Sequence, residues 1–139
     1  GLALYGGVPC AALAEHISQV VRPEAALLQT RLLQPGDSVG YNATFTAPTA
    51  MRVGVIALGY ADGYLRCWSG LGGATLDGAH LPVLGRISMD MTVIDLSAAP
   101  AAREGDWVTI DYDLRTAAKI SGLSQYELLT SLGSRFSRP

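Results

Sequence analysis

The sequence is poor in the residues on which most enzyme chemistry is built. Its 139 residues hold one lysine, Lys119, against nine arginines, with two cysteines and two histidines. Cys10 and Cys67 are too few for a disulfide framework and lack metal-ligand spacing, which suits a reducing interior with two free thiols. His16 and His80 stand apart, with no cysteine or carboxylate cluster in sequence around either. Each reads as a surface or satisfied histidine, and no metal site is expected. There is no Gly-x-Ser-x-Gly, no His-Glu-x-x-His and no Walker glycine loop. No apolar run approaches the roughly 18 residues that cross a bilayer, and no charged segment precedes a hydrophobic one as in a signal peptide. A net charge of −2 and a pI near 5.5 supply no basic field for nucleic acid and no polybasic patch for a membrane.

What is present is a globular composition, 49% hydrophobic and 16% charged, in a length that suits one domain with its own core. The chain opens on "GLALYGG" with no initiator methionine, and Leu2 to Tyr5 read as a short strand closed by Gly6 and Gly7. A chain that opens inside a strand is expected to be a piece of something longer. "CAALAEHISQVV" has Ala12, Leu13, Ile17, Val20 and Val21 on one helical face, and Arg22-Pro23 ends that helix. "QPGDSVG" and "REGDWVT" each place Gly-Asp in a turn that launches a strand. "MRVGVIALGY" reads as a strand covered on both sides, "MTVIDLS" and "DWVTID" as further strands, and Asp77-Gly78 between extended residues as a hairpin. The expectation is six or seven strands. Two short helices follow: "LRTAAKISG" stopping at Gly122, then "SQYELLTSLG" with a Ser124/Glu127 capping box and Gly133 as its C-cap. That pair admits a helix-turn-helix reading, but no Lys or Arg lies between Gln125 and Leu132 to meet phosphates.

Tyrosines set beside glycines are the unusual feature. Tyr5, Tyr41, Tyr60 and Tyr64 form this set, and Tyr60 and Tyr64 in "LGYADGYLR" are expected to reach outward from a strand end. In "GRISMDMT" the methionines either fill gaps in a core or belong to a segment that offers a backbone N–H to a ligand carboxylate, with Arg86 and Asp90 fixing the turn. Spacing alone leaves both readings open.

Taken in order, "GLALYG", "GDSVGYNATF", "IALGYADGYLR", "PVLGRISMDMTVIDL", "EGDWV" and "QYELLTSLGSRFSR" resemble alanine racemase over nearly the whole chain, in its C-terminal β domain. The resemblance implies a mainly β, small barrel-like domain with two short helices near its C-terminus. It further implies that residues 1–22 are the last strand of an N-terminal (β/α)8 barrel with its connecting helix, and that residues 23–139 are the β domain. The implied enzyme is a cytoplasmic, pyridoxal 5′-phosphate-dependent homodimer that interconverts L- and D-alanine for peptidoglycan precursors. By the same resemblance Tyr41 is the catalytic base on one face of the substrate α-carbon, opposite a lysine that holds the cofactor as a Schiff base. Tyr60 and Met89 line the substrate site from the partner subunit, and Asp90 supports them. Gly1 and Leu2 give backbone N–H groups to the cofactor phosphate, and Tyr126 gives it a hydroxyl.

Asn42 and Phe45 depart from the glycine and tyrosine usual in that family. Asparagine tolerates a positive φ, so a glycine-like backbone at 42 is compatible with the sequence. Lys119 sits in a short helix far along the chain from Tyr41 and reads as a surface residue, so the Schiff-base lysine is absent from this chain. The cations that would lower the Tyr41 phenol are therefore expected from the missing barrel, and the chain alone is expected to be inactive. The alternative is a detached β module for binding or dimerisation, without catalysis.

Overall fold

The computed structural model describes residues 1–137. Six of its strands close into one antiparallel barrel, and the alternation of side chains decides what lies inside. The barrel strands are β1 (Glu24–Leu33), β4 (Met51–Ile56), β5 (Gly73–Leu76), β6 (Ala79–Leu84), β7 (Thr92–Asp95) and β8 (Trp107–Ile110). Their order around the barrel is β1-β4-β7-β6-β5-β8, with β8 returning to β1. A further pair, β2 (Ser38–Val39) and β3 (Phe45–Thr46), forms a two-stranded hairpin. Alternate residues Ala25 and Leu27, Leu81 and Val83, Thr92 and Ile94, and Val108 and Ile110 are buried. At the centre of β4 both faces are covered, Val53 and Gly54 alike, whereas Ala57 beyond its end is exposed. Gly54 faces Ile94 in the β4–β7 register, and a β-carbon there would lie 2.5 Å from Leu27 Cδ1, so only hydrogen fits beneath that leucine. A bulge between Leu27 and Gln29 bends β1 into the curvature that closure needs.

Turn chemistry agrees with the sequence. Asp77 and Gly78 both take positive φ, 49° and 82°, the backbone of a tight hairpin turn between β5 and β6. Helix α1 (Leu114–Ser121) starts on the Asp113 carboxylate, which accepts from Thr116 N–H at 2.8 Å, and stops at Gly122 with φ 73°. Helix α2 (Gln125–Ser131) has the expected reciprocal box: Glu127 N–H donates to Ser124 Oγ and Ser124 N–H to Glu127 Oε2. Its end differs from expectation. Leu132 caps it in extended backbone, and Gly133 instead sends its N–H to Asp62 O, so the glycine serves a tertiary contact.

The first 22 residues depart from the sequence reading. Leu2–Tyr5 is a 3-10 turn closed by Gly6 at φ 82°, with no strand, and the expected helix is reduced to a turn at Ala11–Leu13. A strand needs a partner for its backbone groups, and among the described residues none lies alongside. Two glutamines dock this segment. Gln125 binds Val8 through both N–H and C=O, and Gln19 accepts from Leu114 N–H while donating to Tyr112 O. No described helix is long and apolar enough to cross a membrane.

The main core is plugged at one end by aromatics. Tyr64 stacks on Trp68 with centroids 5.4 Å apart, and Trp68 meets Tyr112 at 5.5 Å. Tyr64 is thus only 2% exposed, and it faces inward where the sequence suggested outward. Burial raises both phenols, Tyr64 with added repulsion from Asp111, and Tyr112 is pushed up to about 12. The folded chain therefore holds these protons more tightly than the unfolded one. That contribution is whole below the ordinary value of 10.0 and is lost as the pH rises towards about 12.

In an alkaline titration Tyr64 and Tyr112 should accordingly form phenolate only as the fold is lost, so that part of the phenolate absorbance rises together with the unfolding signal. Phenolate formation at Tyr64 and Tyr112 ahead of unfolding would contradict the packing. Ile94, 0% exposed at the barrel centre, should cost about 2–5 kcal/mol when cut to alanine, read as a lowered urea midpoint at constant slope.

Candidate functional site

Three loops meet at one end of the barrel because glycines let their backbones touch. The first joins β2 to β3 and carries Tyr41–Ala43. Gly40 (φ 79°) and Gly85 (φ 67°) face each other. A β-carbon on Gly40 would lie 2.7 Å from Arg86 N, and one on Gly85 would lie 2.8 Å from Val39 O. Beyond Gly40 the chain turns through two left-handed residues that are not glycine, Asn42 (φ 62°) and Ala43 (φ 48°). Asn42 takes the glycine-like backbone, as its side chain tolerates, while Ala43 is strained. The hairpin is anchored by Val39 and Phe45, which pack on a small cluster of Leu33, Ala47, Val53 and Leu84. Phe45 therefore supports the turn from beneath, and Tyr41 stands out at 56% exposure.

The second loop is the turn Tyr60–Asp62 and the third runs through residues 87–91. They are zipped together by Tyr60 N–H to Ser88 O at 3.0 Å and Ala61 N–H to Met89 O at 2.9 Å. Again a glycine permits it: a β-carbon on Gly59 would lie 2.3 Å from Met89 O. The third loop is pinned by buried Ile87, whose N–H reaches Ser69 Oγ, and closed on itself by Ser88 Oγ donating to Met91 O at 2.7 Å. Met89 is 50% exposed, and among the described residues none accepts a hydrogen bond from its N–H.

Two arginines, given no site role from sequence, tie these loops. The Arg66 guanidinium lies over the Tyr60 ring at 4.8 Å and over the Tyr41 ring at 5.9 Å, so it links the first loop to the second. One guanidinium of this chain thus packs on the rings of both tyrosines. Arg135 Nη1 meets Asp90 Oδ1 at 2.7 Å and its Nε meets Asp62 Oδ1 at 2.8 Å. Asp90 therefore pairs with Arg135, where the sequence reading set it beside Arg86. Arg66 was within reach of sequence reasoning, six residues after Tyr60 in a quoted motif. Arg135 was not, because 45 residues separate it from Asp90.

The remaining predicted residues gather elsewhere. Leu2 N–H donates to Tyr126 Oη at 3.4 Å, and a β-carbon on Gly1 would lie 3.2 Å from the same oxygen. Gly1, Leu2 and Tyr126 share the lining of an open cleft of about 670 Å³ with Tyr5, Val20 and Phe136. Tyr41, Tyr60, Met89 and Asp90 do not line it. The chain thus carries two separate groups of candidate residues. Lys119 is exposed on α1, and the two histidines are exposed, although His80 Nδ1 lies 3.0 Å from Asp111 Oδ2, a carboxylate neighbour that the sequence did not disclose. No group of three or more His, Cys, Asp or Glu side chains is placed to hold a metal among the described residues.

Known proteins match this arrangement over the whole chain. The alanine racemase C-terminal domain family matches residues 20–139. A catabolic alanine racemase of Agrobacterium fabrum is 43% identical over 99% of this chain and 37% of its own length. An alanine racemase of a Methylobacterium species is 43% identical over 99% of this chain and 39% of its own. Among solved structures, alanine racemase of Bartonella henselae with covalently bound pyridoxal phosphate superposes with a TM-score of 0.85 at 33% identity, covering 100% of this chain and 40% of that one. The biosynthetic alanine racemase of Pseudomonas aeruginosa gives 0.85 at 35% identity over the same shares. The chain spans about two fifths of the length of these relatives. With the closed barrel, the helix pair and the family match all in agreement, this chain belongs to the alanine racemase family and corresponds to its C-terminal domain.

Proposed function

We propose that this chain is the C-terminal part of a cytoplasmic, pyridoxal-phosphate-dependent racemase that interconverts L- and D-alanine and supplies D-alanine for peptidoglycan precursors. Racemisation needs two opposed groups, because inversion removes a proton from one face of the α-carbon and returns one to the other. Tyr41 is the group this chain contributes. Its phenol stands in solvent at 56% exposure beside Tyr60, with the Arg66 cation over its ring face and the free Met89 N–H on the neighbouring loop; that grouping is the observation that carries the proposal. Met89 N–H is placed to donate to the substrate carboxylate, Tyr60 lines the same site and Asp90 holds the loop.

The second group of residues suits a phosphate monoester, which needs converging N–H and O–H donors. Leu2 N–H lies 3.4 Å from the Tyr126 hydroxyl, to which it donates, so both donors stand side by side where a phosphate could take them, and Gly1 keeps their approach clear. When bound, the cofactor supplies the electron sink for the α-carbon. The amine on the opposite face is not in this chain, since Lys119 is exposed on α1, and belongs to an N-terminal barrel of which residues 1–22 are the last part. Because the phenol group and the phosphate group do not line one cleft, a homodimer would complete each site with Tyr41, Tyr60 and Met89 of one copy facing Leu2 and Tyr126 of the other.

In the complete enzyme Tyr41→Phe should lower racemisation at least about 100-fold, the contribution of one acid–base group. Solvent deuterium should still enter the α-position of one enantiomer but not the other. Equal loss of exchange from both would place the phenol elsewhere. A binding or dimerisation module without catalysis needs no ionisable phenol and would leave racemisation unaffected by Tyr41→Phe. The chain by itself should not racemise alanine, and adding the separately made barrel should restore activity; turnover by the chain alone would refute the division of labour.

A further inference from the structure

Arg135 lies beyond α2, in the segment that follows Gly133, yet its guanidinium touches both loops of the substrate group. Its Nε meets Asp62 Oδ1 at 2.8 Å and its Nη1 meets Asp90 Oδ1 at 2.7 Å. Asp62 is buried at 7% exposure, and its other oxygen accepts from Gly59 N–H at 2.9 Å. Both oxygens of this carboxylate are therefore used, one inside the Tyr60–Asp62 turn and one on Arg135. Asp90, next to Met89, is half exposed and is held at its Oδ1 by the same arginine. Gly133 N–H adds a bond to Asp62 O, and Gly63 packs so closely that a β-carbon would lie 2.6 Å from Ser131 O.

A guanidinium is planar, permanently charged and forked, so it can bind two carboxylates on two loops at once. An ammonium is a single point charge and loses that bridge. Resting on the racemase reading above, we propose that Arg135 is a positioning residue: it clamps the Met89–Asp90 backbone to the Tyr60 turn and thereby fixes the Met89 N–H for the substrate carboxylate. Arg135 itself touches no reacting atom. The backbone bonds between the loops, Tyr60 to Ser88 and Ala61 to Met89, set their register, and the clamp keeps them closed.

The complete enzyme tests this with Arg135→Gln, Arg135→Lys and Asp90→Asn. Arg135→Gln should raise KM for alanine at least 10-fold with a smaller change in kcat. Arg135→Lys should keep the Asp62 charge paired and the protein folded, yet leave KM raised. Asp90→Asn cuts only the arm beside Met89, so it should raise KM without loss of thermal stability, and the double variant Arg135→Gln with Asp90→Asn should be no worse than Arg135→Gln alone. Hydrogen exchange gives a readout independent of turnover: the amides of Tyr60 and Ala61 should exchange about 10-fold faster in Asp90→Asn while the amide of Ile94 is unchanged. Unaltered KM and exchange in Asp90→Asn, or full recovery of KM by Arg135→Lys, would overturn the clamp. Loss of the clamp with Tyr41→Phe still inactivating leaves the racemase reading intact, whereas activity in Tyr41→Phe defeats that reading itself.

Discussion

The site depends on backbone touching backbone. At Gly40, Gly59 and Gly85 the chain passes another segment at distances no β-carbon tolerates, and these contacts set where three loops stand. Close packing of main chain is stiffer than packing of side chains, since it leaves no rotamers to adjust. Each loop also has its own support: Phe45 and Val39 beneath the first, the Asp62 carboxylate within the second, Ile87 and Ser88 in the third. Tyr41 and Tyr60 are then joined from above by one cation, Arg66. A phenol held this way is exposed without being free to wander, which suits the proton transfer proposed for it.

Strain is concentrated at the same place. Asn42 and Ala43 both lie in the left-handed region directly after Tyr41, and the alanine has no side-chain hydrogen bond to offset that conformation. Such residues persist where the surroundings over-determine them, and the anchored hairpin supplies that constraint. The sequence departure at 42 is thus absorbed by backbone geometry, and the departure at 45 by the small apolar cluster, with Tyr41 outward in both respects.

How much of this was legible in the sequence follows from the range of the forces involved. Local chemistry read correctly: the Asp77-Gly78 turn, the Asp113 to Gly122 helix and the Ser124/Glu127 box each depend on residues within a few positions. Residues 1–22 misled, because apolar spacing suggests a strand or helix without revealing whether a partner exists to pair or pack with it. Tyr64 and Tyr60 share one motif, but one faces a Trp68 stack and the other a guanidinium, a difference set by the tertiary fold. Gly133 looked like a cap and proved to be a contact to Asp62 for the same reason. Arg135 carried no local signal at all, since its value lies in two carboxylates brought from distant loops. Placing Tyr41, Tyr60 and Met89 in one neighbourhood was legible only through resemblance, and the separation of Gly1, Leu2 and Tyr126 from them only through coordinates.

Closure of the six-stranded barrel also decides how the chain behaves when crowded by its own copies. A sheet that returns to its first strand leaves little free edge for a foreign strand to copy: beyond Ala26 β1 pairs only with β4, but Glu104 Oε1 takes Thr30 N–H there, and the remaining hairpin pairs only two residues a side. The barrel itself should therefore resist the edge-to-edge accretion that seeds amyloid. Such a tendency would fall instead to the first 22 residues, where Leu4, Tyr5, Leu13 and Val20 are each exposed.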